Sequence, residues 1–570
     1  MSGRSRAVVA IVAAVTVVAT LAGCTQRSNQ GAPSSTGSAP GAVAFPETPD
    51  QPAVPGKPGG TFRLGIIEPT AIDPYNVQES EGALVTKALF TGLVTNTRSG
   101  EVRDGVASAW TPNADCTQWT FTLKPGTTFT NGEPVDAAAF KRGWERTSAR
   151  ESASDVAYHL GEVAGFDRMQ DGSATTLSGV DATDPTTVKV ALARPDCEFV
   201  LRTAHPALSP VPAAAGPTSN QTYNDLPIGN GPFRMDGPWQ HDTGIRLVRN
   251  DAYTAGPKAN LDAVEITITP ADTGVQTEYN GFLNGQFDWA RMPTPSLSQA
   301  RDANEPKGQW ISKPSTSVTY LQAQTTRAPL NTAVARRAVS MAIDRAAIAQ
   351  GVFQGAQQPA TSLVPSTFPA AHQSGVCTAC TFDPEQAKQL AAQAGLTPGT
   401  RLRFQFNSGG GHEEWTAAVK QQLEQNLGIV VDYSGVPFRD LLNNQQQPDA
   451  TGLFRAAWGA DYPTAANMLT PLLATASIGA ATPNDVATGD NRGRYSNPAF
   501  DALMDQASAT QDAAARNGLY KQAEKIAIGD DLGLIPLFTR QQFRLANTAA
   551  FANVNMDFND NPTLAAITVR

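Results

Sequence analysis

Thr61-Phe-Arg-Leu-Gly-Ile66 alternates apolar and polar residues in the manner of a half-exposed strand, and Trp119-Thr-Phe-Thr-Leu123 repeats the pattern. Val334-Ala-Arg-Arg-Ala-Val-Ser-Met-Ala-Ile343 and Leu519-Tyr-Lys-Gln-Ala-Glu-Lys-Ile-Ala527 instead carry their apolar residues at helical spacing. Strands interleaved with long amphipathic helices, and no fixed repeat period, predict an α/β fold with covered sheets. The chain has 570 residues, which at roughly 150 per domain implies about three to four structural units. A hydrophobic content of 41% excludes wholesale disorder. Charged residues are only 17%, with 43 basic against 52 acidic, so no electrostatic footprint for nucleic acid is present. The 48 glycines and 41 prolines predict many turns and long connections.

Toward the N-terminus, Arg4 and Arg6 precede an apolar run from Ala7 to Thr20. The run falls short of the ~20 residues that span a bilayer, which favours a signal peptide over 1–23. It ends in Leu21-Ala22-Gly23-Cys24, which resembles the bacterial lipobox. A diacylglyceryl group with palmitate-type chains on Cys24, at about 0.8 kcal/mol per buried methylene, would anchor the protein to the outer face of the cell membrane. Residues 25–58 are rich in Pro, Ser, Gly and Ala without apolar periodicity. With Cys24 they predict a disordered linker over 24–58 that holds a soluble body away from the lipid.

Five cysteines are an odd number for an exported chain. The lipobox removes Cys24 and leaves Cys116, Cys197, Cys377 and Cys380, which allow three pairings. In an oxidising compartment the sequence-close Cys377-Thr-Ala-Cys380 is the easiest disulfide, leaving Cys116 for Cys197. No second CxxC or histidine pair follows at zinc spacing. The sequence also holds no G-x-S-x-G elbow, H-E-x-x-H, S-x-x-K or Walker loop; Gly409-Gly-Gly-His412 lacks the phosphate-cradling pattern. The five histidines, His159, His205, His241, His372 and His412, are scattered. These observations favour binding over catalysis, with no metal and no cofactor.

A series of short motifs then runs through the body in order: Gly60-Thr-Phe-Arg-Leu64, Asp73-Pro74, Ala88-Leu-Phe-Thr-Gly-Leu93, Asp104-Gly-Val-Ala-Ser-Ala-Trp110 and Trp119-Thr-Phe-Thr-Leu-Lys-Pro-Gly126. Phe129-Thr-Asn-Gly-Glu-Pro-Val-Asp136, Phe140-Lys-Arg-Gly-Trp144, His205-Pro-Ala-Leu-Ser-Pro-Val-Pro212, Gly229-Asn-Gly-Pro-Phe233 and Arg249-Asn-Asp-Ala-Tyr253 continue it. Arg337-Ala-Val-Ser-Met-Ala-Ile-Asp-Arg345, Trp458-Gly-Ala-Asp-Tyr-Pro463 and Tyr495-Ser-Asn-Pro-Ala-Phe500 close it. Together they resemble the family 5 extracellular solute-binding proteins, the receptors of ABC importers, and most closely those for oligopeptides and dipeptides.

The resemblance implies a periplasmic-binding-protein-like class II fold with mixed sheets. Two lobes would be joined by hinge crossovers, with an extra subdomain. Lobe I is then expected at 59–90, 214–311 and 530–570, the subdomain at 91–213 and lobe II at 312–529. A peptide would lie in the cleft between the lobes and be delivered to membrane permease and ATPase subunits by a monomeric receptor. Asp461 matches the family aspartate that pairs with the ligand ammonium, a contact on the order of 4 kcal/mol at about 4 Å and an effective dielectric near 20, before desolvation. Arg455 and His412 match positions that meet ligand carboxylates; a guanidinium fork suits that geometry, and a histidine suits it best when protonated. The segment Ala457, Trp458 and Gly459, and the loop containing Gln78, Glu79 and Ser80, match stretches that bond an extended ligand as added strands. Where a related receptor carries glutamate this chain has Gln78, which removes a side-pocket charge and the ground for a preference for basic side chains.

The same family includes receptors for haem, nickel chelates, oligosaccharides and opines. Haem or nickel would call for a placed His or Met, with His412 or His159 as the ligand. An anchored hydrolase would need a nucleophile or carboxylate pair that the sequence does not display.

Overall fold

The computed structural model describes residues 45–408, 411–480 and 482–570. The expected signal peptide, Cys24 and the linker up to residue 44 lie outside the described residues, as do Gly409 and Gly410. The largest sheet has eleven strands. They are β1 (Thr61–Ile67), β2 (Phe233–Met235), β3 (Gly244–Arg249), β4 (Ala263–Thr269), β5 (Trp289–Ala290), β6 (Trp310–Ala323), β7 (Gln357–Pro359), β8 (Arg401–Asn407), β9 (Val430–Val436), β10 (Leu453–Trp458) and β11 (Ile535–Ala546). Their spatial order is β9-β8-β10-β6-β11-β5-β1-β4-β3-β2, with β7 also pairing β11.

β6 and β11 are long enough to serve two lobes. They pair antiparallel from Trp310 to Pro314 and again from Val318 to Leu321, with the register broken between Pro314 and Val318. β5 and, through it, β1–β4 attach at the Ala546 end of β11. β10 and, through it, β8 and β9 attach beyond Val318 of β6. Each lobe has its own apolar core: Phe62, Leu89, Phe233 and Val264 in lobe I, and Leu321, Phe404, Val419 and Phe538 in lobe II. Leu532, Leu534, Ile535 and Leu537 belong to the second core. The register break in β6 near Ser315–Ser317 and the facing part of β11 near Arg540 lie between the strands that carry one core and those that carry the other.

Residues 91–213 build a four-stranded antiparallel sheet from Ala107–Pro112, Gln118–Leu123, Thr187–Ala191 and Val180–Asp181. Trp119, Phe121 and Leu123 point inward in the alternation their spacing dictates. They pack with Phe140 and Trp144 of the helix Ala137–Ser148, whose first turn is capped by the Asp136 carboxylate accepting from the Ala139 amide at 2.9 Å. The subdomain is bolted to lobe I. Arg146, 1% exposed, donates through both Nη atoms to the carboxylate of Asp73, 0% exposed, at 2.7 Å each. The Gly229-Asn-Gly231 motif closes the same joint. A Cβ at Gly229 would lie 1.9 Å from the Leu89 carbonyl, while the Asn230 side chain accepts from the Thr91 amide and donates to its carbonyl.

Several resembling motifs prove to be architectural. Arg345 is buried and donates to the carbonyls of Pro536, Ser340, Ile343 and Cys380, tying lobe II helices to β11.

The linker expectation needs correction over residues 45–58. Phe45 is 1% exposed and packs edge-on against Phe543 at 4.9 Å. The Thr48 amide donates to Ser312 at 2.8 Å, and Lys57 bridges Val569. The prolines at 46, 49, 52 and 55 lack amide donors, so an extended path over a surface leaves few groups unsatisfied. Phe45 together with these backbone hydrogen bonds holds a segment of low-complexity composition on the body.

The structure joins Cys116 to Cys197, 81 residues apart, and Cys377 to Cys380, three apart. Chain-entropy arguments give the long loop about 4 kcal/mol and the short one about 2 or less. Urea denaturation should show the Cys116→Ala/Cys197→Ala variant losing about 2–4 kcal/mol, clearly more than Cys377→Ala/Cys380→Ala.

Candidate ligand-binding site

β10 pairs with β6 along its whole length, from Leu453 to Trp458. On its other side β8 reaches only Leu453 and Phe454. Among the described residues Arg455, Ala456, Ala457 and Trp458 therefore keep one open edge; their side chains are half-buried, and Gly459 beyond them is exposed. An open edge presents amides and carbonyls to any extended chain laid beside it.

Asp461 stands just past this edge. Asn467, buried in the first turn of the helix Ala466–Leu473, holds it twice. Its Oδ1 accepts from the Asp461 amide at 2.8 Å and its Nδ2 donates to Asp461 Oδ2 at 3.2 Å. The Asn467 carbonyl also accepts from Trp458 Nε1 at 2.7 Å, so one asparagine sets both side chains. The Tyr158 phenol, from the subdomain, hydrogen-bonds the same carboxylate. Burial pushes the Asp461 carboxyl up to about 6, against the Asn467 and Tyr158 hydrogen bonds that favour the anion. Lys87, His205 and Asn559 line a cavity of about 10 Å³ with Asp461 and Tyr462.

The other end of the edge is cationic. Arg455 Nη1 donates to Asn407 Oδ1 at 3.2 Å, and its buried Nε has no hydrogen-bond partner among the described residues. Burial, with a smaller contribution from Arg540, draws the guanidinium down to about 10. His412 Nδ1 accepts from Trp415 Nε1 at 3.2 Å, which leaves Nε2 to carry the proton. Burial first, then the field of Arg455, hold His412 down to about 4. At neutral pH His412 is thus a neutral donor, not the protonated partner that suits a carboxylate best.

Ser80 opens the helix Ser80–Leu89, and the Glu79 carbonyl accepts from the Ala83 amide at 3.0 Å. The Ser80 carbonyl accepts from Asn561 Nδ2 at 2.7 Å, and Ser80 Oγ donates to Asn559. The Glu79 carboxylate is held by the Thr70 amide, and Gln78 Nε2 donates to Asp155 at 2.8 Å. The Glu79 carbonyl is thus engaged by the helix and the Ser80 carbonyl by Asn561. His159 is removed from the cleft: it is 1% exposed and stacks on His205 at 3.8 Å.

Sequence reasoning missed Tyr158, Asn467 and Arg540, each distant in the chain from the residue it serves or carrying no local signature. It also missed the seam beside the site. Glu198 of the subdomain accepts from Thr464 Oγ1 at 2.6 Å and Tyr520 OH at 2.7 Å, and pairs with Arg516 at 3.1 Å, all from lobe II. The Arg202 guanidinium lies 4.9 Å from the ring centre of Tyr462 across the same seam.

Two lobes on paired crossover strands, with an anion just past an open strand edge and a cation on it, have the chemistry to hold a charged solute. The chain belongs to the bacterial extracellular solute-binding proteins, family 5, whose family model matches residues 101–480. It is accordingly an exported binding protein and not an enzyme. It is similar to the oligopeptide-binding protein OppA of Bacillus subtilis, 26% identical over 84% of this chain and 87% of that one. It is also similar to the probable deoxycholate-binding periplasmic protein YgiS of Escherichia coli, 30% identical over 87% and 91%. The solved structure of the Escherichia coli murein tripeptide-binding protein MppA matches with TM-score 0.70 at 25% identity, over 91% of this chain and 99% of that one.

Proposed function

We propose that this protein captures short peptides in its interlobe cleft and hands them to the permease and ATPase subunits of an ABC importer. In this reading it is a monomer anchored through lipid on Cys24. The observation that carries it is the open edge of Arg455–Trp458 between Asp461 and Arg455. A peptide brings an ammonium, a backbone and a carboxylate, and the site offers an anion, a strand edge and a cation in that order. The names of the relatives, an oligopeptide- and a murein tripeptide-binding protein, agree with it. A steroid carboxylate, the ligand class in the name of YgiS, would meet Arg455 and His412 but leave Asp461 without a counter-charge.

The test is recovery of ligand. Protein purified without denaturation is extracted and analysed by mass spectrometry. Peptides are expected; haem, a metal or a steroid with no peptide would overturn the reading.

A pH dependence follows from Asp461. In the empty receptor its carboxyl titrates at about 6, and a bound ammonium would hold it ionised at lower pH. Binding must then expel a proton below pH 6, so affinity should be flat above pH ~7 and fall by up to about tenfold per pH unit below ~6. His412, at about 4, stays neutral through that window. Calorimetry from about pH 5 to 8 measures the slope, and Asp461→Asn should remove it.

A further inference from the structure

We propose that Arg540 is a specificity residue that reads a carboxylate on the distal part of the ligand and seats it at the mouth of the large cavity beside the crossover strands. The proposal rests on the peptide reading and extends it to a residue outside the motif around Asp461. Arg540 sits where β11 leaves lobe II. Thr539 before it faces Val318 and Gln541 after it faces Pro314, so the residue lies opposite the irregular stretch of β6, and it faces Gln357 of β7. Its side chain is exposed and has no hydrogen bond or ion pair among the described residues.

The cavity is about 470 Å³, enough for one or two amino-acid residues, and Arg540 is on its wall. The other cations there are engaged. Arg291 pairs with Glu278 and Glu81, and Arg544 donates to the carbonyls of Phe543 and Asp560. Among the acids, Asp560 pairs with Arg98; Glu79, held by the Thr70 amide, has no cationic partner among the described residues. Arg540 is thus the guanidinium of this lining that has neither hydrogen bond nor ion pair among the described residues, with Glu79 as an opposing charge. A chain of aromatic contacts through the lobe II core links the cavity wall to the cationic end of the open edge. Phe353 on the cavity wall packs on Phe538, Phe538 on Trp415, and Trp415 donates to His412. The field of Arg540 reaches both His412 and Arg455 and disfavours their charged forms. An anion placed among the three relieves that repulsion, and a guanidinium fork meets a carboxylate through two parallel hydrogen bonds.

The experiment uses the whole receptor and an equimolar pool of random tri-, tetra- and pentapeptides, made once with free carboxylates and once as C-terminal amides. Captured peptides are quantified by mass spectrometry for the wild type, Arg540→Gln and Arg540→Lys, with thermal midpoints checked for each. The wild type is expected to enrich the acid pool about tenfold over the amide pool. Arg540→Gln should lower the ratio about threefold, Arg455 still meeting the carboxylate, while capturing amides as before, and Arg540→Lys should keep more of the preference. A wild type that captures both pools equally, or an Arg540→Gln variant with the wild-type ratio, overturns the role of Arg540 and leaves the peptide reading standing. A wild type that captures neither pool overturns the peptide reading and this proposal with it.

Discussion

Asp461→Ala is expected to weaken peptide binding by about 3 kcal/mol, a factor of about 150, without lowering the thermal midpoint of the empty protein. The two halves of that expectation share one cause. Burial raises the Asp461 carboxyl to about 6, so at neutral pH the empty receptor holds an anion in a place that disfavours it. The group contributes stability when protonated, and that contribution is lost as pH rises through about 6. Removing the side chain therefore costs the empty fold little, whereas the ligand loses its counter-charge. Asp461→Asn keeps the hydrogen-bonding shape and should lose nearly as much affinity, because charge is what the ammonium reads. Asn467→Ala should give a smaller loss, about tenfold, since it frees the carboxylate without removing it. Calorimetry with any peptide recovered from the native protein measures all three. An Asp461→Ala variant that binds as well as wild type would exclude the ammonium-pairing role.

The largest effect on stability is expected at the joint between lobe I and the subdomain. Arg146 and Asp73 form a two-pronged pair, both fully buried, and the guanidinium also lies 5.1 Å and 5.4 Å from the ring centres of Tyr75 and Tyr223. Arg146→Met leaves a buried carboxylate without its partner and should cost about 3–5 kcal/mol in denaturant unfolding. Burial already holds the Asp73 carboxyl above its ordinary range against the pull of Arg146. Without the arginine it should take up a proton more readily still. The deficit of Arg146→Met relative to wild type should consequently shrink as pH falls. Arg146→Met combined with Asp73→Leu should recover much of the loss, because two apolar side chains carry no desolvation cost. A pH-independent deficit would show that packing, not charge, dominates the joint.

The strands and helices legible in the sequence were those with one buried face. Thr61–Ile67 and Gln118–Leu123 alternate because one side of each meets a core, and Ala333–Met341 shows a helical period for the same reason. Composition misjudged residues 45–58, where Phe45 and a few backbone hydrogen bonds fix a proline-rich segment to the body. The motif Trp458–Pro463 located the anion and the strand edge together, since they are neighbours in the chain. In the Gln78–Ser80 loop the residues sit at the right place in the order of motifs, and the structure adds that a helix opens at Ser80 and already engages the Glu79 carbonyl.

By itself the sequence pointed to the class of fold, the family, the cysteine pairing that the structure joins out of three possible ones, and the position of the acidic residue just past a strand. These depend on local period, on spacing, or on residues within a few positions of one another. Only the tertiary structure decided where the chain crosses between lobes, which asparagine fixes Asp461, that Tyr158 reaches it from the subdomain, and that Arg540 stands without a partner among the described residues, its field reaching Arg455 and His412. Apart from the Asp461–Asn467 contact, which depends on how the turn before the helix Ala466–Leu473 folds back, these are relations between groups far apart in the chain. Their energy comes from burial and from charges brought together by folding, and neither exists along the sequence.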